Sequence, residues 1–264
     1  MNTPYDSFAD DYDRFVNWPE RLAFELPFIK EILKRIGTHY PSVLDAACGT
    51  GQHALALAVL GYDAAGADLS PGMIERAQIN ADERRLQVRF EAAGFGELGE
   101  TFSHGSFDSL FCLGNSLPHV PDQEGLAMAL ADFASVLKPG GLLLVQNRNF
   151  DQVLKQQARW MEPQGAREGE REWLFLRFYD FLDDGTINFN ILRLQRKIGA
   201  AWQQQVTQTR LLPLTQAELQ EALLTAGFGE IEWYGGLDGS PFEAEKSGNL
   251  VVVARRDGET RARY

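Results

Sequence analysis

The chain has few cysteines, a deficit of basic residues and no long apolar run, and each shortage argues against a class of protein. Two cysteines, Cys48 and Cys112, in 264 residues suit buried thiols in a reducing compartment better than a disulfide framework. Lysine and arginine number 25 against 37 acidic residues, giving a net charge of −12, and no basic stripe offers a surface for nucleic acid. No apolar run approaches the ~18 residues of a membrane span, and acids stand near the N-terminus where a secretory signal has bases. We therefore expect a cytoplasmic protein that binds neither nucleic acid nor membrane.

What the chain does have is a regular alternation of short apolar strands with amphipathic helices. Apolar residues at steps of four and three over 22–36 predict a helix that Pro27 kinks or restarts. The strands "SVLDAA", "YDAAGAD", "LQVRFEAA", "FDSLFCL" and "GLLLVQN" then follow, with helices such as "QHALALAVLG" and "QEGLAMALADFASVL" between them. Ser70 and Pro71 are the N-cap and first residue of the helix after the second strand. Strands that alternate with helices predict an α/β fold with a parallel sheet covered on both faces.

From about residue 148 the periodicity changes to two, which is typical of antiparallel strands. The stretches "REWLFLRFYDFL", "TINFNILRLQRK" and "AWQQQVTQTRLLPL" alternate in this way, and Asp184-Gly185 predicts a hairpin turn between the first two. We expect these strands to be inserted on the sheet rather than to form a separate domain. Thr215 and Glu218 then predict a capping box at the start of a helix, and "FGEIEWYGG" and "NLVVVARR" predict two final strands.

A glycine-rich turn follows the first strand, and an acid follows the second. Gly49 and Gly51 allow positive φ and a close approach of the backbone to a ligand. Asp68 comes nineteen residues after Gly49, where a carboxylate at the edge of an open sheet accepts hydrogen bonds from ribose hydroxyls. With Ala54 the loop also fits a dinucleotide fingerprint, but Asp45 would lie unfavourably close to a pyrophosphate, and no histidine lies in a hydride-transfer motif. An NAD-dependent oxidoreductase therefore stays as an alternative.

Four motifs carry a resemblance to a known family. The segments "LDAACGTG", "GADLSPGMIERA", "FDSLFCLGNSLPHV" and "LKPGGLLLVQNRNF" resemble the class I S-adenosylmethionine-dependent methyltransferases. The fragments "CLGNS" and "NRNFD" are similar to the glycine and sarcosine N-methyltransferase branch. The resemblance implies a doubly wound, mostly parallel, Rossmann-like sheet of seven strands whose last strand is antiparallel. It also implies the cofactor S-adenosylmethionine and the product S-adenosylhomocysteine.

The resemblance also implies positions for the cofactor. The backbone around Ala47, Gly49 and Gly51 would hold its methionine end, and Asp68 its ribose. Arg21 would bind the methionine carboxylate with its planar guanidinium, although a solvated helix arginine is the alternative. The remaining implied cofactor residues are Tyr12, Leu69, Met73, Gly94, Phe95 and Leu113. Leu113 would lie beneath the sulfonium and Met73 near the adenine, and Tyr5, Phe8 and Tyr12 would form a lid. Many relatives carry a polar side chain for the adenine amino group where this chain has Gly94 and Phe95, so backbone groups and the phenyl ring would have to serve.

The methyl acceptor is less well defined by the sequence. A sulfonium is a strong electrophile, so the protein must mainly hold the reacting atoms in line, and neither a catalytic residue nor a metal is predicted. Asn115 is a candidate to accept a hydrogen bond from a substrate nitrogen, and the alternative is an ordinary turn residue. His119 is a candidate to hydrogen-bond the substrate, and the alternative is that it caps the next helix. Arg148 falls where glycine-methylating relatives hold a carboxylate, although a structural salt bridge is the alternative. Arg177 and Tyr179 are not assigned to the site.

These observations predict a methyltransferase that acts on a small polar acceptor, most plausibly at an amine nitrogen. The alternatives are the oxidoreductase and a protein that binds S-adenosylmethionine without catalysis. Residues 1–40 are predicted to form an N-terminal helical lid, 41–147 with 213–256 the cofactor domain, and 148–212 the inserted antiparallel region on the substrate side. The sequence makes no prediction of the oligomeric state.

Overall fold

The computed structural model describes residues 12–14 and 16–258, which form a main sheet, a second smaller sheet and the helices around them. Residues 12–14 are a helical turn. The later elements in chain order are α1 (Trp18–Lys34), β1 (Ser42–Asp45), α2 (Gln52–Val59), β2 (Asp63–Asp68), α3 (Pro71–Arg84), β3 (Arg89–Ala92), α4 (Leu98–Thr101), β4 (Phe107–Cys112), a 3-10 helix (Leu117–His119), α5 (Gln123–Val136), β5 (Leu137–Arg148), α6 (Phe150–Gln156), β6 (Gln164–Glu168), β7 (Arg171–Phe181), β8 (Ile187–Lys197), β9 (Gln203–Leu211), α7 (Gln216–Thr225), β10 (Phe228–Tyr234) and β11 (Asn249–Arg256).

The main sheet has seven strands in the order β10-β11-β5-β4-β1-β2-β3. Strands β1 to β5 pair in parallel, and β11 runs antiparallel to both of its neighbours. Successive residues of β5 belong to different cores: Leu143 and Val145 pack with α5 and α7, whereas Leu142 and Leu144 pack with α1 and α2. The sheet is therefore covered on both faces, and the predicted doubly wound fold with an antiparallel last strand is confirmed.

Helix boundaries follow the predicted capping residues. The Ser70 hydroxyl accepts a hydrogen bond from the Met73 amide at the start of α3, and Thr215 and Glu218 form the predicted capping box of α7. Helix α1 is continuous through Pro27, so the prediction of a restart there is wrong. Pro27 and Ala23 both lie on the exposed side of α1. The Ala23 carbonyl that loses its helical donor can therefore bond to water, which lowers the cost of an internal proline.

The inserted strands pair in the order β6-β7-β8-β9, all antiparallel, and none of them pairs with a strand of the main sheet. They form a sheet of their own, called here the inserted sheet, and the predicted inserted antiparallel region is confirmed. The predicted turn at Asp184-Gly185 joins β7 to β8, where the Leu182 amide donates to the Thr186 carbonyl. Helix α6 and strand β6 were not predicted, because "QGARE" in β6 has neither apolar alternation nor a β-branched residue.

Both cysteines are buried and neither forms a disulfide, as predicted. Burial raises the pKa of the Cys48 and Cys112 thiols above the usual cysteine range, and the nearby Asp45 carboxylate adds to the effect. Both side chains therefore remain protonated thiols at physiological pH. No helix in the described part of the chain has the length and apolar character needed to cross a membrane.

Candidate functional site

A cavity of about 990 Å³ lies at the carboxyl ends of the parallel strands, with the inserted sheet as its opposite wall. Ligands of open α/β folds bind at this edge, and the volume is at the upper end of the range for ligand pockets. The predicted site residues that line it are Tyr12, Arg21, Ala47, Gly49, Asp68, Leu69, Met73, Gly94, Phe95, Asn115, His119 and Arg148. Over residues 12–14 and 16–258, no group of three or more His, Cys, Asp or Glu side chains is arranged to hold a metal ion.

The two glycines after β1 serve different purposes. Gly49 has φ +53°, and a Cβ there would project towards the Tyr12 ring, 3.7 Å away, on the cavity side. Gly51 has φ +79°, precedes the first residue of α2 and does not line the cavity. A Cβ at Gly51 would lie 2.7 Å from the Phe90 ring, so a glycine is required there by packing beneath the loop. Of these two glycines, Gly49 alone lines the cavity and can offer its backbone to a ligand.

Asp68 is held at the end of β2 by the loop that it faces. Its Oδ2 accepts a hydrogen bond from the Gly49 amide at 2.9 Å, and its Oδ1 accepts one from the Ser70 amide at 2.9 Å. These two bonds fix the orientation of the carboxylate, which lines the cavity. This geometry suits the predicted contact with ribose hydroxyls.

Arg21 is the first of three side chains that are linked by hydrogen bonds from the cavity into the core. Its Nε donates to Glu25 Oε1 at 2.9 Å, and Glu25 Oε2 lies 2.6 Å from Nε2 of the buried His53. Burial alone would raise the Glu25 pKa, but the hydrogen bond and charge of His53, with those of Arg21, outweigh it and hold that pKa below the usual range. The Arg21 guanidinium also lies over the Trp18 ring, 5.0 Å from its centroid. The sequence reasoning missed Glu25, although its i,i+4 spacing from Arg21 was a usable signal.

Arg21 also faces the strand end that holds the predicted sulfonium position. Its Nη2 would lie 4.0 Å from a Cβ placed at Gly114, which has φ +75° and lines the cavity. Leu113, directly before Gly114, is buried in the core and does not line the cavity. The residue expected beneath the sulfonium therefore supports the Gly114 backbone and leaves that backbone as the exposed surface.

The predicted adenine end is small and apolar. A Cβ at Gly94 would lie 2.9 Å from Leu69 Cδ1, the end of an exposed side chain that would have to shift to admit it. The Gly94 amide donates to Glu97 Oε2 at 2.8 Å. The Phe95 ring is held edge-on against Phe133 at 5.2 Å between centroids, and it lines the cavity. The exposed face of this ring is thus fixed where a flat heterocycle can pack against it.

Asn115 connects the ends of β4 and β5. It has φ +65°, its amide donates to the Gln146 carbonyl at 3.0 Å, and its Oδ1 accepts from the Arg148 amide at 2.8 Å. The oxygen predicted to contact a substrate nitrogen thus already accepts one structural hydrogen bond, as the turn interpretation expects. Its second lone pair is the group that remains for a substrate.

His119 lies at the end of the 3-10 helix and lines the cavity. Burial lowers its pKa to about 4, so the imidazole is neutral at physiological pH. The alternative that it caps α5 is wrong, because the cap is Asp122, whose carboxylate accepts from the Gly125 amide at 2.8 Å.

Two arginines and a tyrosine line the part of the cavity where the acceptor is predicted to bind. Arg148 ends β5, and Arg177 and Tyr179 of β7 line the same space from the inserted sheet. Among the described residues Arg148 makes no salt bridge, and its buried Nε has no hydrogen-bond acceptor. Burial lowers the Arg177 pKa and the nearby Arg148 charge lowers it further, while burial raises the Tyr179 pKa. The sequence reasoning missed Arg177 and Tyr179, although their i,i+2 spacing places both on one face of the strand.

Comparison with known proteins agrees with this geometry. Residues 43–141 match the family model described as a methyltransferase domain. The chain is 34% identical over 200 residues to the glycine/sarcosine N-methyltransferase of Parasynechococcus marenigrum, which covers 72% of this chain and 70% of the relative. It is 28% identical over 261 residues to that of Aphanothece halophytica, covering 97% of this chain and 91% of the relative. The crystal structure of an S-adenosylmethionine-dependent methyltransferase from Clostridium acetobutylicum has a TM-score of 0.77 at 17% identity, covering 97% of this chain and 100% of that one.

The sheet order, the glycine turn after β1 and the carboxylate after β2 define a class I methyltransferase fold. With these similarities, the chain belongs to the S-adenosylmethionine-dependent methyltransferase family, and the prediction of that family and its cofactor is confirmed. Its relatives include glycine/sarcosine N-methyltransferases. The oxidoreductase alternative is thereby set aside.

The residues at the strand ends fit this cofactor. The missing Cβ atoms of Gly49 and Gly114 leave backbone open to the cavity, between the Asp68 carboxylate and the Arg21 guanidinium. A guanidinium suits a carboxylate and a carboxylate suits ribose hydroxyls, so Arg21 and Asp68 offer the two kinds of group that a molecule with both a carboxylate and a ribose requires. When bound, S-adenosylmethionine supplies an electrophilic methyl group, and the chain's part is to hold it and the acceptor in line.

Proposed function

We propose that the chain N-methylates a small amine that carries a carboxylate, such as an amino acid. The observation that supports this most directly is the Arg148 guanidinium, which lines the cavity without a salt bridge to any described residue and with a buried Nε that lacks an acceptor. A buried cation without a counter-ion is costly, and an anionic substrate would offset that cost.

The second arginine strengthens the case for an anion. Arg177 lies near enough to Arg148 for the two charges to repel each other. A carboxylate between them accepts hydrogen bonds from both guanidiniums and relieves the repulsion. The Tyr179 phenol, whose pKa burial raises, remains a neutral donor beside them. An uncharged acceptor would leave Arg148 without a counter-ion among the described residues.

The nitrogen of the acceptor would lie near Asn115 and His119 rather than between the two arginines. An amine attacks as its neutral form, so it needs a hydrogen-bond acceptor to orient its lone pair rather than a strong base. The Asn115 carbonyl oxygen has a second lone pair, and His119 is neutral because burial depresses its pKa to about 4. Neither group adds a positive charge that would repel an ammonium on its way into the site. That relatives are named glycine/sarcosine N-methyltransferases supports the same acceptor class.

The test compares acceptors that differ only in charge. Formation of S-adenosylhomocysteine is measured by mass spectrometry with glycine against glycinamide, and with sarcosine against its amide. We expect turnover with the carboxylates and a loss of at least about tenfold in kcat/KM with the amides, because an amide leaves the Arg148 guanidinium without a counter-ion. Equal turnover of glycine and glycinamide would refute the carboxylate contact. Tight cofactor binding without turnover of any acceptor would favour the non-catalytic alternative.

Arg148→Lys tests the residue itself. The charge is kept but the planar two-point contact is lost, so we expect a KM for the carboxylate acceptor raised by about tenfold or more. Affinity for S-adenosylhomocysteine should stay near wild type, because Arg21 rather than Arg148 is predicted to bind the cofactor. Arg196→Lys is the matched control, since Arg196 pairs with Glu172 on the inserted sheet and does not line the cavity. Full activity of Arg148→Lys on the best acceptor would contradict the assignment.

A further inference from the structure

Asp13 is the centre of a hydrogen-bond cluster that no part of the predicted site explains. Its Oδ1 accepts from Thr50 Oγ1 at 2.6 Å and from Trp18 Nε1 at 2.9 Å, and its Oδ2 accepts from Asn80 Nδ2 at 3.1 Å and Gln52 Nε2 at 3.3 Å. Arg76 Nε lies 3.7 Å from the same Oδ2. One carboxylate thus joins the start of α1, the glycine turn and α3.

The residues on either side of Asp13 face the cavity and the inserted sheet. Tyr12 lines the cavity and lies over Gly49. Arg14 Nε donates to Glu168 Oε1 at 2.9 Å, and its guanidinium lies 5.1 Å from the centroid of the Trp173 ring on the inserted sheet. The helical turn of residues 12–14 therefore presents one side chain to the cavity, one to the glycine turn and one to the inserted sheet.

The bond to Thr50 places this cluster beneath the glycine turn that is predicted to hold the cofactor. Thr50 stands between Gly49 and Gly51, is fully buried and does not line the cavity. The Asn80 amide that donates to Asp13 also donates to the Thr50 carbonyl at 3.0 Å. The position of the glycine turn and the position of Tyr12 are consequently fixed by the same carboxylate.

We propose that Asp13 is a positioning residue that holds residues 12–14 closed over the bound cofactor and thereby slows cofactor release. Departure of the cofactor past Tyr12 requires the turn to move, and movement of the turn requires the hydrogen bonds to Asp13 to break. Bonds to a charged acceptor are the stronger kind, so their loss should act mainly on the dissociation rate.

The test measures binding of S-adenosylhomocysteine alone, so its outcome does not depend on the acceptor proposed above. Dissociation constants come from calorimetry, and dissociation rates from displacement of radiolabelled ligand. For Asp13→Asn we expect a Kd and a dissociation rate each raised about tenfold. Thr50→Val removes one hydroxyl from the same cluster and should raise both by a smaller factor of about three. The double variant should be weaker than Asp13→Asn by less than threefold, because asparagine keeps one acceptor oxygen but lacks the charge that strengthens the Thr50 bond.

A matched pair at the opposite edge of the sheet separates this role from general destabilisation. Asp108 Oδ2 accepts from Ser42 Oγ at 2.8 Å at the amino ends of β1 and β4, away from the cavity. Asp108→Asn and Ser42→Ala should lower the melting temperature and change the Kd by less than about twofold. The proposal is overturned if folded Asp13→Asn binds as wild type, if the Asp13 and Thr50 effects simply multiply, or if the control pair weakens binding equally. Should Asp13→Asn fail to fold, Thr50→Val measured against Ser42→Ala decides the question.

Discussion

Replacing Glu25 by glutamine isolates the buried charge between Arg21 and His53. Glu25 is 7% exposed and His53 4% exposed, so solvent cannot replace the lost anion. Glutamine fills the same volume and can still accept one hydrogen bond, but it removes the charge that both partners face. A hydrogen bond to a charged group contributes about 1.5–3 kcal/mol, and breaking a buried ion pair costs about 3–5 kcal/mol. We therefore expect Glu25→Gln to lower the free energy of unfolding by about 2–3 kcal/mol at pH 7.

The effect should depend on pH in a defined direction. The Glu25 pKa is lowered in the folded protein, so its contribution is complete above the ordinary glutamate pKa and is lost as the pH falls through the folded value. Wild type and Glu25→Gln should therefore differ most near neutral pH and converge in acid. Urea denaturation followed by circular dichroism at pH 7 and at progressively lower pH measures this difference.

A substitution on the exposed side of the same helix serves as the control. Glu31 pairs with Lys34 on the exposed surface of α1, so Glu31→Gln makes the same change in net charge without affecting a buried group. Exposed pairs contribute about 0–1 kcal/mol, and the control should stay within that range. Equal denaturation midpoints for the two variants at pH 7 would refute the claim that the Arg21–Glu25–His53 chain stabilises the fold.

Two further changes test the cofactor end of the site and the buried acid behind it. Asp68→Ala should weaken binding of S-adenosylhomocysteine by about 1–3 kcal/mol in a folded protein, measured by calorimetry, because a charged acceptor is lost; unchanged affinity would contradict the ribose assignment. Asp45 is 1% exposed, and burial raises its pKa to about 6, so folding favours the protonated form and stability falls as the pH rises from about 4 through about 6. The full pKa shift corresponds to about 3 kcal/mol of unfolding free energy. Asp45→Asn should therefore flatten the dependence of this free energy on pH between about 4 and about 6, measured by urea denaturation. An unchanged slope would assign the pH dependence to other groups.

The parts of the fold that could be predicted are those encoded by short-range patterns. A strand, a glycine turn and a capped helix lie within about 30 residues, and each has its own local signal. The positions of Gly49, Asp68 and Ser70 were therefore available from spacing alone. The separation of the inserted strands into their own sheet was not, because strand pairing between distant segments depends on which edges meet in three dimensions.

The charge chain behind Arg21 illustrates the same limit. Glu25 and His53 lie 28 residues apart on two different helices, and nothing in either local sequence indicates that their side chains meet. The Asp13 cluster is similar, since its donors come from α1, the glycine turn, α2 and α3. Polar pairs of this kind become visible only when the packing of helices is known.

The acceptor end was hardest to predict for a different reason. The apolar and aromatic residues of β7 predict a strand. Because residues of this kind lie on both of its faces, the sequence does not show which face is turned to the core. Arg177 and Tyr179 share a face with the buried Trp173 and Phe175, and this face is the one that turns to the cavity. The predicted cofactor groups lie on and around the main sheet, whereas the predicted acceptor groups come from both sheets: Asn115, His119 and Arg148 lie at the main-sheet edge, and Arg177 and Tyr179 lie on β7. Substitutions of Arg177 or Tyr179 in β7 should therefore change activity towards the acceptor while leaving the affinity for S-adenosylhomocysteine intact, the same separation that we expect of Arg148→Lys from the main sheet.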